Sequence, residues 1–373
     1  MIYLDHAANT PVDPAVLEAY CEAARRYAGN PNSPHGAGAA AHQRLLEALE
    51  AIAAALGVAA DGVVLTSGAT EANNLAIKGV AAQYQKHGRH IVTTALEHSS
   101  VSGPLAWLQS RGYEVDCVDL TDSGQVDLDH LKSLLREDTI LVSVCAVDSE
   151  IGIRQPLDDI AALLAGRPHC FLHVDATQAV GKVPVRAAGV DLLSFSPHKF
   201  HGLNGAGVLI KGPKVLLEPQ MHGGISVTPF RSGTPDLPQT VAVETALRLA
   251  LAAGDDHRRQ AARQNALLRQ ELAGQGAVRI NSPADASPYI LNLSLPTLRA
   301  ETIQQQLAAQ DIHVATKSAC CAPNTASRPV YALTGNRKLA LSTLRVSLGF
   351  TTRDEEIESF LDCLAALLKQ SKG

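Results

Sequence analysis

Ser194-Phe195-Ser196-Pro197-His198-Lys199 decides how the rest of the chain is read. It follows the apolar run Val190-Asp191-Leu192-Leu193, which reads as a buried strand, and leads into the Gly-containing segment Phe200 to Gly207. A lysine at a strand end is ordinarily a solvated cation. Here, however, a second strand upstream, Cys170-Phe171-Leu172-His173-Val174, ends in Asp175-Ala176-Thr177-Gln178. In an open parallel sheet the carboxyl ends of the strands share one crevice, so Asp175 and Lys199 face one ligand. An imine-forming amine opposite a carboxylate that keeps a ring nitrogen protonated suits pyridoxal 5′-phosphate.

With 373 residues, 46% of them hydrophobic, the chain has enough apolar material for a large core and two domains. We expect a large cofactor-binding domain over 15–255 and a smaller domain built from 1–14 and 256–373. A net charge of −5 without a Lys/Arg run argues against nucleic acid or an anionic membrane as partner. No apolar run reaches the roughly 18 residues of a membrane span. Met1-Ile2-Tyr3-Leu4-Asp5 lacks the basic and apolar regions of a signal peptide, so a soluble cytoplasmic protein is expected. The seven cysteines, an odd number with no C-x-x-C pair, argue against a disulfide framework and a zinc site, and no metal is expected.

Taken in order, Leu4 to Pro11 is an extended entry, and Asp13-Pro14 predicts a capped helix running to about Tyr27. Gly29 to Gly36 is an ordered loop, and Ala39 to Leu56 has helical spacing. A strand at Gly62-Val63-Val64-Leu65 feeds Thr66-Ser67-Gly68-Ala69-Thr70-Glu71-Ala72-Asn73-Asn74. A strand, a small-residue turn and a helix start aim free N–H groups and a positive dipole end at an anion, although such a turn is also an ordinary helix start. It lacks the spacing of a nucleotide P-loop. Further strands at His90 to Thr94, Tyr113 to Val118, Thr139 to Cys145 and Gly207 to Ile210, with a helix near Val101 to Gln109, predict a doubly wound, mostly parallel sheet. Glu97-His98 and Asp148-Ser149-Glu150 fall just past two of these strand ends. Helices are expected over Thr240 to Ala253 and His257 to Leu272. The C-terminal part reads as α+β, with strands at Tyr289 to Leu295 and His313 to Thr316 and helices at Ala300 to Ala309 and Arg353 to Leu367.

Two further features carry chemistry. Ala315-Thr316-Lys317-Ser318-Ala319-Cys320-Cys321-Ala322-Pro323-Asn324 is turn-rich and carries adjacent thiols where the chain should be exposed, so a nucleophile is credible there. Leu344-Arg345-Val346-Ser347-Leu348-Gly349 puts an arginine in an apolar strand, where its guanidinium needs an anion: a structural Asp/Glu, or a substrate carboxylate, which its fork geometry suits better.

With these motifs in view, the sequence resembles the cysteine desulfurases of the class V pyridoxal-phosphate aminotransferase family, on the NifS/IscS side. The resemblance rests on Leu4-Asp5, Ala8 to Pro11, Thr66 to Asn74, Glu97-His98, His173 to Gln178, Ser194 to Lys199, Arg231-Ser232-Gly233-Thr234, Ser318-Ala319-Cys320 and Arg345 to Gly349, in order along nearly the whole chain. It implies a fold type I (aspartate-aminotransferase-like) homodimer. Lys199 would hold the cofactor, Asp175 its pyridine nitrogen and Gln178 its ring oxygen, with His98 stacked on the ring. Ala69, Thr70, Ser196 and His198 would bind the cofactor's phosphate end, and Thr234 would reach it from the other subunit. Arg345 would take the carboxylate of L-cysteine, with Asn9 and Asn32 nearby. Cys320 would accept the sulfur as a persulfide, release L-alanine, and pass the sulfur to an acceptor, a scaffold or thiolation protein.

The chain departs from the family pattern at three places. Asp148-Ser149 stands for the usual Asn-Asn, removing an amide contact to the ring oxygen. Ile225 to Pro229 replaces a Glu-Arg-containing run, altering the cross-subunit contacts. Lys317 stands where a small residue is usual, and we hypothesise that its charge lowers the Cys320 pKa. An unchanged pH profile of Cys320 alkylation in Lys317→Ala would sink that idea. The rival functions are a related C–S or C–Se lyase or aminotransferase that does not need Cys320, and a low-activity scaffold that binds partner proteins.

Overall fold

The computed structural model describes residues 1–186, 189–224, 227–317 and 325–370. It opens with strand β1 (Ile2–Tyr3) and helices α1 (Pro14–Arg26) and α2 (Gly36–Leu56). Alternation follows: β2 (Val63–Thr66), α3 (Ala69–Tyr84), β3 (His90–Thr93), α4 (Ser99–Gln109), β4 (Glu114–Cys117), α5 (Leu128–Leu134), β5 (Thr139–Cys145), α6 (Leu157–Leu164), β6 (Phe171–Asp175), β7 (Leu192–Phe195) and β8 (Gly207–Lys211). The rest comprises α7 (Leu237–Ala252), α8 (Gly254–Ala273), β9 (Arg279–Ile280), β10 (Ile290–Ser294), α9 (Ala300–Ala308), β11 (Ile312–His313), α10 (Arg328–Thr334), α11 (Arg337–Leu341), β12 (Thr343–Ser347) and α12 (Asp354–Gln370).

Local chemistry explains the helix starts. Asp13 accepts a hydrogen bond from the Ala15 N–H and Pro14 occupies the first helical position, as the sequence predicts. Helix α2 begins before the expected Ala39 because the His35 ring accepts from the Gly38 N–H. Helix α7 likewise starts at Leu237 because Asp236 caps the Gln239 N–H. Helices α5 and α6, absent from the sequence reading, have 7 and 8 residues, too few to show a clear period.

Seven strands form the large sheet in the order β2-β8-β7-β6-β5-β3-β4. All run parallel except β8, which is antiparallel to both β2 and β7, so the mostly parallel α/β sheet is as expected. Neighbouring residues on one strand enter different apolar clusters: Ile91, Leu141 and Leu209 pack with Val80 of α3, whereas Val92, Val142 and Val208 pack with Ile52 of α2 and Leu247 of α7. Both faces are therefore covered, which is why these strands read as continuous apolar runs. Gly207 is required where β8 passes the turn before α3, since a Cβ there would lie 2.3 Å from the Gly68 backbone.

The three-stranded sheet β12-β10-β9 is antiparallel, and β1 pairs in parallel with β11. These elements share their own core of Leu4, Leu268, Leu293, Ile303, Phe360 and Leu364. The segment after β1 links the two cores: Ser347 donates its N–H to Leu4 O at 2.8 Å, and Thr10 donates its N–H to His198 O at 3.0 Å. Among the described residues no helix is long and apolar enough to cross a membrane.

Candidate active site

A cavity of about 280 Å³ opens at the carboxyl ends of the large sheet's strands. Thr70 reaches it from beyond β2, His98 from beyond β3, Ser149 from beyond β5, Asp175 from the end of β6, and Lys199 from beyond β7. The arrangement is the shared crevice that a parallel sheet creates.

Asp175 is only 5% exposed, so its carboxylate needs partners. Oδ1 accepts from the Thr177 N–H at 3.0 Å and Oδ2 from Asn73 Nδ2 at 2.9 Å. Asn73, on the buried face of α3, is the hub that the sequence reading missed. Its second Nδ2 hydrogen goes to Ser100 Oγ at 2.9 Å, and its Oδ1 accepts from the Ser194 hydroxyl. Ser194 Oγ in turn lies 3.1 Å from His173 Nε2. Burial lowers the His173 pKa to about 4, so this ring stays neutral and donates from Nε2. The only signal in the sequence was a polar residue among Ala72, Leu75, Ala76 and Ile77, which line a buried face.

His98 is both a helix cap and a lining group. As the N-cap of α4 it accepts from the Ser100 N–H on Nδ1 at 3.2 Å, and its ring also lines the cavity. Burial lowers its pKa, and with Nδ1 accepting, the neutral ring carries its proton on Nε2. Ala69 and Thr70 line the opposite end, at the N-terminus of the 16-residue α3, where free N–H groups and the helix dipole favour an anion. His198 lines the cavity, while Ser196 stands behind it, with its hydroxyl 2.7 Å from His198 Nδ1 and donating to Ala206 O at 2.5 Å.

Lys199 Nζ donates to the carbonyls of Ala7 at 2.9 Å and Ala8 at 2.6 Å. The N-terminal segment thus supplies the acceptors for the amine, a role its sequence did not announce. Gln178 also lines the cavity and donates from Nε2 to Ala7 O at 2.8 Å.

Arg345, 1% exposed, borders the cavity and has the anion its burial requires. Nη2 donates to Asp5 Oδ1 at 2.7 Å and Nη1 to Ser149 O at 2.9 Å, while Nε has no partner among the described residues. Of the two partners foreseen for it, the structural carboxylate is therefore present. Asn9 and the exposed Asn32 do not line this cavity. Thr234 lines a different one, with Ser67 and Arg231, and Arg231 pairs with Glu71 at 2.9 Å. Lys317 donates to the carbonyl and hydroxyl of Thr325 at 2.8 and 3.0 Å. Ile225, Ser226, Cys320 and Cys321 lie outside the described residues.

Two buried acids flank the site. Asp148, fully buried, accepts the N–H groups of Glu150, Ile151 and Gly152, and turns away from the cavity that its neighbour Ser149 lines. Burial, aided by the charge of Glu150, raises its pKa to about 7. Burial raises Glu97 to about 8, although Thr94 and the Cys145 N–H both donate to its carboxylate. A group raised in the folded state stabilises below its unfolded pKa and loses that contribution as pH climbs to the folded value, by up to about 1.4 kcal/mol per pH unit. The melting temperature should therefore fall between pH 5 and 8. Glu97→Gln is expected to flatten that fall, and Asp148→Asn to flatten its lower half. Melting curves with the same slope in all three proteins would contradict the assignment.

The donor set fits pyridoxal 5′-phosphate: an amine, a carboxylate held by two N–H groups, a neutral imidazole and a helix N-terminus line one cavity. The comparisons with known proteins agree. A family model described as Aminotransferase class-V matches residues 2–360. The chain is 37% identical to a NifS/IcsS protein homolog of Lactobacillus delbrueckii subsp. bulgaricus over 370 residues, 97% of this chain and 95% of that one. It is 35% identical to the cysteine desulfurase IscS of Dictyoglomus turgidum over 374 residues, 99% of this chain and 95% of that one. A solved NifS-like protein superposes with a TM-score of 0.92 at 33% identity, covering 99% of both chains.

Proposed function

The chain belongs to the aminotransferase class-V family and is a pyridoxal 5′-phosphate-dependent cysteine desulfurase, and from that premise we propose how its own residues divide the work. When bound, the cofactor supplies an aldehyde that captures amines and a ring that withdraws electrons. Asp175, fixed by Asn73 and Thr177, holds the ring nitrogen protonated, and the Ala69–Thr70 helix start receives the phosphate. His98, held at its cap position, would cover the ring. Lys199 would hold the cofactor's aldehyde, and its amine is placed to move the proton at the substrate Cα.

Arg345, which borders the cavity, holds the carboxylate of L-cysteine with guanidinium hydrogens beyond those given to Asp5 and Ser149. Cys320 acts as a thiolate on the substrate sulfur. An S–S bond forms as the C–S bond breaks, the C–S electron pair stays with the carbon skeleton, and protonation releases alanine. The persulfide then passes to an acceptor protein with a nucleophilic thiol, a scaffold or thiolation protein. Thr234 sits outside this protomer's cavity, which supports a homodimer in which it serves the other site. The core of Leu268, Leu293, Ile303, Phe360 and Leu364 supports a small domain from 1–14 and 256–373 beside a large one over 15–255, with Ala7, Ala261 and Ile290 packing across into the large sheet's core. Five free cysteines among the described residues fit a reducing, cytoplasmic compartment.

The single observation that carries this division is the convergence of Lys199, Asp175, His98 and Arg345 on one cavity. Its test is mass spectrometry after cysteine treatment. One extra sulfur on the peptide containing Cys320 is expected, and extra sulfur found only on another cysteine would reject the assignment.

A further inference from the structure

Lys182 is a buried lysine, 7% exposed, that the reaction above leaves unused. Its Nζ donates to Gln178 Oε1 at 2.9 Å. Gln178 lines the cofactor cavity; Lys182 does not, bordering instead a second cavity of about 190 Å³ that Lys199 also lines. We propose that Lys182 is a positioning residue: it fixes the carboxamide of Gln178 so that an N–H, not the carbonyl, faces the cofactor's ring oxygen. This rests on the reading of Lys199 as the residue that anchors the cofactor.

An amide side chain can turn over at little steric cost, so its orientation is set by the neighbours' hydrogen-bonding abilities. Ala7 O can only accept, which requires Gln178 Nε2 on that side, at 2.8 Å. As an ammonium Lys182 can only donate, and it does so to Oε1 on the other side, at 2.9 Å. The two contacts agree, and reversing the amide would set oxygen against oxygen at Ala7 and an N–H against the ammonium of Lys182. One N–H of the carboxamide goes to Ala7 O, and the other is left for the cofactor's ring oxygen. Burial, with the charges of Lys199 and Arg345 adding to it, holds the Lys182 pKa down to about 7.

The test is a pH titration of the visible absorption band of the cofactor-loaded protein, which reports the ring's electronics without turnover. Losing a donor to a charged oxygen is expected to raise the midpoint by about one pH unit in Lys182→Met. Lys182→Arg, which keeps a donor, should restore most of the wild-type midpoint. In a Gln178→Ala background, Lys182→Met should move the midpoint by less than about a third of a unit, because the two residues act as one unit. A full shift persisting in Gln178→Ala overturns the proposal in favour of a direct charge effect on Lys199, and no shift in Lys182→Met overturns it in favour of space filling. Should Lys182→Met lose its near-UV circular dichroism, Gln178→Glu decides: it keeps an oxygen for Lys182 but has no N–H, and an unchanged midpoint overturns the proposal. Borohydride labelling of the wild type at Lys199 checks the underlying reading separately, so the two failures are distinguishable.

Discussion

Cys320→Ala is expected to keep the visible absorbance of the bound cofactor while alanine release from cysteine falls by at least about 10³-fold, or about 4 kcal/mol of transition-state stabilisation. The two outcomes separate because the groups assigned to the cofactor do not include Cys320. Asp175 and His98 are linked to α3 through Asn73 and Ser100, and Lys199 is held by the carbonyls of Ala7 and Ala8. Binding the cofactor therefore does not need the thiol, whereas moving sulfur off the substrate does. Persistent turnover in Cys320→Ala, measured as alanine and sulfide with a thiol reductant present, would favour the lyase or aminotransferase reading. Absence of turnover in the wild type would favour the scaffold.

Lys199→Ala removes the amine itself, and a loss of similar size in alanine release is expected, together with loss of covalent attachment. Borohydride treatment of the wild type should leave the cofactor fixed at position 199, and the same treatment of Lys199→Ala should leave none. Binding should persist more weakly, because the carboxylate of Asp175 and the Ala69–Thr70 helix end remain in place. The variant is a strict test because a second buried amine is near: Lys182 lines the same rear cavity as Lys199. Label recovered on Lys182 in the wild type would reverse the roles of the two lysines.

What the sequence made legible follows from how local each signal is. Asp175 and Lys199 could be found because each ends an apolar run, and a parallel sheet sends every such end to the same side. The helix caps at Asp13 and the turn at Gly68 are equally local. The partners that make these groups usable are not. Asn73 reaches Asp175 across 102 positions, Ala7 reaches Lys199 across 192, and Asp5 reaches Arg345 across 340, and no pattern within a window of ten or twenty residues reports such contacts. The choice between a structural and a substrate anion for Arg345 turned on one of them. Lys182 was hidden for a different reason: a lysine in a Gly-Lys-Val-Pro turn looks solvated until packing closes over it. Of the short helices α5 and α6, only α5 carries a local signal, the Asp127 cap on the Asp129 and His130 N–H groups.

The run from Ile2 to Thr10 has a mechanical consequence. One end is laced to β11 and β12, through Ile2 opposite Ile312 and the Ala7 N–H on Ser347 Oγ at 2.9 Å, and its last carbonyls and Thr10 grip the loop of Lys199. Sliding the smaller sheet against the larger one pulls on this tether. The resting place of the reactive nitrogen is thereby geared to the relative placement of both halves of the molecule.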